Sequence, residues 1–111
     1  SYIGAGRNSA ASVATITTKT TMPEAISIVT MTIDAITATY VNSIKLEVLS
    51  ADGVTVKETV LGTAKQGDCV FTISNPQQNC KYKITVDCKQ NTANRGKNGF
   101  VQVSKVVYTN F

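Results

Sequence analysis

The segment Cys80-Lys81-Tyr82-Lys83-Ile84-Thr85-Val86-Asp87-Cys88 carries apolar side chains at its even positions and polar ones at its odd positions. A period of two places successive residues on opposite faces of a strand, so the pattern predicts Cys80, Tyr82, Ile84, Val86 and Cys88 in a core. Lys81, Lys83, Thr85 and Asp87 then face solvent, and nothing in the segment repeats at helical spacing. A strand apolar on one face only belongs to an antiparallel sheet packed on one side.

Working outward, Cys69, Phe71 and Ile73 alternate with Val70, Thr72 and Ser74, which predicts a preceding strand. It is joined to the first through the turn Asn75-Pro76-Gln77-Gln78-Asn79. After Cys88, residues 90–99 hold no large apolar side chain and read as a loop. Phe100, Val101, Val103, Val106, Val107 and Tyr108 then form a last strand, and the spacing Val101, Val103, Val106, Tyr108 requires one β-bulge.

Nearer the start, Asp52-Gly53 predicts a type I′ hairpin turn with positive φ at both residues, pairing Val54–Leu61 antiparallel to Ile44–Ser50. Over Ala25–Tyr40 the apolar parity changes twice. The expected causes are a bulge near Ile28-Val29 and a bend near Ala35-Ile36, or a separate second strand or loop. Ser12–Thr21 is a Thr-rich strand of undecided inner face, and Met22-Pro23-Glu24 interrupts it because proline cannot donate to a ladder. The glycines of Tyr2-Ile3-Gly4-Ala5-Gly6-Arg7 lack the flanking elements of a phosphate loop and instead let a first edge strand bend.

About eight strands separated by turns, with abundant Ser, Thr and β-branched residues, predict an all-β, two-sheet antiparallel β-sandwich. A jelly-roll-like order is preferred and an immunoglobulin-like one is the alternative, because the chain has no Trp and no evident inter-sheet cysteine pair. Its 111 residues fit one domain, 1–111. No apolar run reaches the roughly 20 residues of a membrane-spanning helix, and no signal segment opens the sequence.

The net charge of +4 is spread without runs, as expected of a solvated surface. Cys80 and Cys88 at opposite ends of one strand would lie roughly 26 Å apart, too far for a disulfide. A bond from Cys69 stays geometrically open beside the reading of all three as buried thiols. The chain has no His, so a zinc site and a His-based nucleophilic site both lack their usual ligand or base. Of its seven carboxylates, Asp34 lies in an apolar-rich stretch and is the first to inspect for catalysis. The expectation is that the protein is not an enzyme and needs no cofactor or metal.

Four segments carry a family resemblance. Ile3-Gly4-Ala5-Gly6-Arg7-Asn8-Ser9, the Thr-rich Ala14–Lys19, Phe71-Thr72-Ile73 and the closing Gly99–Thr109 together resemble bacterial secreted β-sandwich accessory modules. Such modules occur attached to extracellular nucleases and surface proteins, and are similar in architecture to carbohydrate-binding jelly rolls. The resemblance implies a secreted or cell-surface module with neighbouring domains in a larger chain, and brings no set of binding residues with it.

Binding of a glycan or other surface polymer through loops at one end of the sandwich is therefore expected. Amides and cations that hydrogen-bond hydroxyls, beside an aromatic face, are the chemistry it needs. Asn91, Asn94, Arg95, Lys97 and Asn98 supply the polar groups, Arg7 and Asn8 a second basic loop, and Tyr40 a candidate platform. A structural or protein-interaction spacer is the alternative. Nucleic-acid contact through Arg7, Lys89, Arg95 and Lys97 ranks behind both, because no aromatic residues interleave with those cations.

Overall fold

The computed structural model describes residues 2–6, 12–36, 41–88 and 99–110. It contains eight strands: β1 (Tyr2–Gly6), β2 (Ser12–Thr17), β3 (Ile28–Ile36), β4 (Val41–Leu49), β5 (Val56–Leu61), β6 (Gly67–Thr72), β7 (Lys81–Cys88) and β8 (Gly99–Thr109). They form two four-stranded sheets, ordered β1-β8-β3-β6 and β2-β7-β4-β5, with every pairing antiparallel.

The pairs β4 with β5, β3 with β6, β2 with β7 and β1 with β8 are nested about one turn. This is a long hairpin folded over on itself, and the β3–β8 and β4–β7 pairings knit the wrapped halves into sheets. The order is that of a jelly roll.

The nesting starts at Ser50–Thr55. Gly53 N–H donates to the Ser50 carbonyl at 2.8 Å, and Ser50 N–H to that of Thr55 at 2.8 Å. Gly53 has a φ of +78°, but Asp52 is not in the left-handed region. The expected type I′ geometry is therefore wrong: Ala51 and Asp52 occupy the turn's centre and Gly53 follows them as the left-handed residue. The reason is the Asp52 side chain, which accepts from Ser50 Oγ and from the Val54 N–H at 3.0 Å, a local set of bonds that holds Asp52 inside the turn.

In β7 the even residues Tyr82, Ile84, Val86 and Cys88 are completely buried, as is Cys80 just before it. The odd residues are half-buried rather than wet, because β7 lies inside its sheet between β2 and β4. Facing them across the sandwich are Val29, Met31 and Ile33 of β3, Phe71 of β6, and Val101 and Val103 of β8. Burial at roughly 25 cal/mol per Å² of apolar surface makes this layer the main source of stability.

Two irregularities fall where the apolar parity breaks. In β8, Val103 pairs with Ile33 and Lys105 with Thr32, so Ser104 is the extra residue that turns Val106 and Tyr108 toward the core. In β3, Ile33 pairs with Val103 and Ala35 with Gln102, which leaves Asp34 as the extra residue and moves the inner set to Ile36. The bulge expected near Ile28-Val29 does not exist, since both residues pair in regular register. Ile26 is buried from the connection that precedes β3, and a residue outside a strand need not obey the strand's parity.

Cys69 and Cys80 are buried thiols, and Cys88 is buried at the end of β7. No helix among the described residues is long and apolar enough to cross a membrane.

Candidate functional site

Strand register decides which connections share an end of the sandwich. Gly6 pairs with Gly99, and Ile36 with Val101, at one end of the first sheet. Ser12 and Val41 both pair with Cys88 at one end of the second. Each of the segments 7–11, 37–40 and 89–98 is flanked by one strand of each sheet, and the flanking strand ends all lie at this end. Arg7, Asn8, Tyr40, Lys89, Asn91, Asn94, Arg95, Lys97 and Asn98 belong to these connections and lie outside the described residues.

A fourth connection, 62–66, also crosses between the sheets on this side. Gly62 N–H donates to the Ile44 carbonyl at 2.8 Å, and Gly67 pairs with Ile33. Both anchors are three residues short of Val41 and Ile36, which sets the connection back by roughly 10 Å along the strands. Lys65 and Gln66 are exposed on it, while Ala64 packs against the core. By sequence, Gly62 to Gly67 is simply a polar connection; its place among the others follows from the jelly-roll order, for which no local residue signal exists.

The packing beneath this connection is tight. A Cβ on Gly62 would stand 2.7 Å from Cys69 Sγ and 2.8 Å from Phe71 Cε1, so only glycine lets the chain leave β5 over these side chains. Burial raises the Cys69 pKa above its ordinary value, against a smaller pull downward from the Thr63 backbone. The thiol is thus kept in its unreactive protonated form.

Three of the seven carboxylates, Glu58, Asp68 and Asp52, are engaged in local structure. Glu58 accepts from the Ser74 N–H at 2.8 Å and the Asn75 N–H at 3.1 Å, tying edge strand β5 to the turn after β6. Asp68 accepts from Thr32 Oγ1 at 2.9 Å, and Asp52 is held in its turn. Hydrogen bonds from Ser50 and the Val54 backbone lower the Asp52 pKa despite its exposure. Asp34 is exposed at the β3 irregularity. Among the described residues no three His, Cys, Asp or Glu side chains cluster so as to hold a metal ion.

The class of protein so defined is an eight-stranded jelly roll with an apolar interior, in which four of the six inter-sheet connections are flanked by strand ends on one side. No protein-family model matches the chain, and neither a curated protein nor a solved structure is significantly similar to it.

Proposed function

We propose that the chain is a non-catalytic accessory module of a secreted or surface bacterial protein, which holds a glycan or other surface polymer at the end where connections 7–11, 37–40, 62–66 and 89–98 meet. The observation that supports this reading is the common end given to their flanking strands by the Gly6–Gly99, Ile36–Val101, Ser12–Cys88 and Val41–Cys88 pairs. By sequence, these connections gather Arg7, Asn8, Asn91, Asn94, Arg95, Lys97 and Asn98 with Tyr40, and Lys65 and Gln66 join them. Amides and long cations that are free of packing duties suit paired hydroxyls, and an aromatic ring suits the apolar face of a pyranose.

The test is a glycan array followed by calorimetry on any hit. The combined variant Asn94→Ala, Arg95→Ala and Lys97→Ala should stay folded and lose the ligand. Full binding by that folded variant would remove the assignment to 89–98. An oligonucleotide that binds with steeply salt-dependent affinity, with no glycan hit, would replace the reading by nucleic-acid contact. Absence of signal in both would leave a spacer between neighbouring domains.

A further inference from the structure

The outer face of the first sheet is built differently from that of a purely solvated sheet. Register defines three cross-strand rows over β8, β3 and β6: Thr109-Ile28-Thr72, Val107-Thr30-Val70 and Lys105-Thr32-Asp68. Val70 and Val107 flank Thr30 and remain 52% and 43% exposed, although they are the large apolar side chains of their row. β1 pairs with β8 only between Gly99 and Gln102. Beside these rows the named strands are therefore three wide, with β3 in the middle. The third row has a cation on its β8 side and an anion on its β6 side, and Thr32 Oγ1 draws the Asp68 carboxylate toward the midline with a 2.9 Å bond.

We propose that this face pairs with the same face of a second copy of the chain, about a two-fold axis lying between the two faces and running along β3. A two-fold interface needs a patch complementary to itself. Rotation about this axis keeps each row level and exchanges its ends, so β8 of one copy lies over β6 of the other. Val107 then meets the partner's Val70, Thr30 meets its own counterpart, and Lys105 meets the partner's Asp68, each asymmetric contact occurring twice. The other in-plane axis, across the strands, would set Lys105 against the partner's Thr109 and leave both charges without an opposite. Charge complementarity therefore selects the axis along β3.

Two twisted sheets stacked about 10 Å apart, with strands within about 30° of one another, accommodate this arrangement. Three strands by five residues span about 10 Å by 13 Å of backbone. That is far below the ~800 Å² per partner of a stable complex, so the pairing is weak and reversible.

Sedimentation velocity of the intact chain from about 10 µM to about 1 mM should show reversible dimer formation. Lys105→Asp alone and Asp68→Lys alone each make the row single-signed and should weaken self-association by about tenfold or more. An equimolar mixture of these two variants should associate again, because each then carries the charge that the other lacks. Asp68, Val70, Lys105 and Val107 are exposed and Thr30 between them is half-buried, and unchanged circular dichroism and melting would show that the variants remain folded. A wild-type chain that is monomeric throughout would overturn the proposal. So would single variants that self-associate like wild type, or a mixture that does not recover.

Discussion

The Tyr82 ring of β7 meets the Tyr108 ring of β8 with centroids 5.7 Å apart and planes inclined by 54°, which joins the two sheets through an aromatic pair. Tilted pairs of this kind add about 0.5–1.5 kcal/mol beyond the area they bury. The Tyr82 hydroxyl is buried and makes no hydrogen bond of good geometry, the Ile26 backbone reaching it only weakly, so the ring stabilises the core while its polar end is a cost.

Tyr82→Phe keeps the ring contact and removes that cost. Its stability at neutral pH should be unchanged or higher by up to about 1 kcal/mol, measured by urea denaturation. Burial, first, and then the neighbouring Cys80 and Tyr108 raise the Tyr82 pKa, against a downward pull from the Ile26 backbone. The unfolded chain therefore releases this proton first. The stability tied to it is complete below the ordinary tyrosine pKa of about 10 and is lost as pH rises toward the folded value. Tyr82→Phe should accordingly move the alkaline unfolding midpoint upward; a downward shift would contradict the assignment.

Val86→Asp places a carboxylate on the fully buried face of β7, where no cation faces it among the core residues. A loss above about 4 kcal/mol, or failure to fold, is expected. Lys83→Gln, on the opposite face of the same strand, should change stability by about 0.5 kcal/mol or less. Thermal melts of the two variants decide the matter, and equal shifts would mean that the faces are reversed.

Gly62→Ala forces a methyl group against Cys69 Sγ and Phe71 Cε1 and should cost about 1–3 kcal/mol through overpacking. Cys69→Ala removes one of the two obstacles. In the double variant the two losses should sum to less than their separate values, a coupling that a double-mutant cycle in urea would measure. Strict additivity would show that the chain relieves the contact elsewhere.

Asp52 is held below its ordinary pKa first by the Ser50 hydroxyl and then by the Val54 N–H. Its contribution is therefore present above the unfolded carboxyl pKa of about 3.9 and is lost as pH falls through the lower folded value. Asp52→Asn should be less stable than wild type at neutral pH, and the gap should close below about pH 4. Melting temperatures across that range test this, and a gap independent of pH would assign the effect to something other than the carboxylate charge.

Much of the fold was legible because strand burial has a period of two. The alternation in 80–88 located β7 and its inner face, and the broken spacing Val101, Val103, Val106, Tyr108 announced the extra residue that the structure places at Ser104. The same rule misled at Ile28-Val29, where Ile26 is core without belonging to a strand; at Asp52-Gly53 it was the turn preference of the pair that misled, because side-chain hydrogen bonds chose the turn.

By itself the sequence determined which residues are apolar, where strands begin and turn, and which segments are too polar to pack, since these depend on neighbours a few residues apart. Tertiary structure alone decided that β8 lies between β1 and β3, that connection 62–66 shares a side with 7–11, 37–40 and 89–98, and that Lys105 and Asp68 flank Thr32. Those relationships join residues up to about a hundred positions apart, and the wrapping of one nested hairpin, rather than any local preference, brings them together.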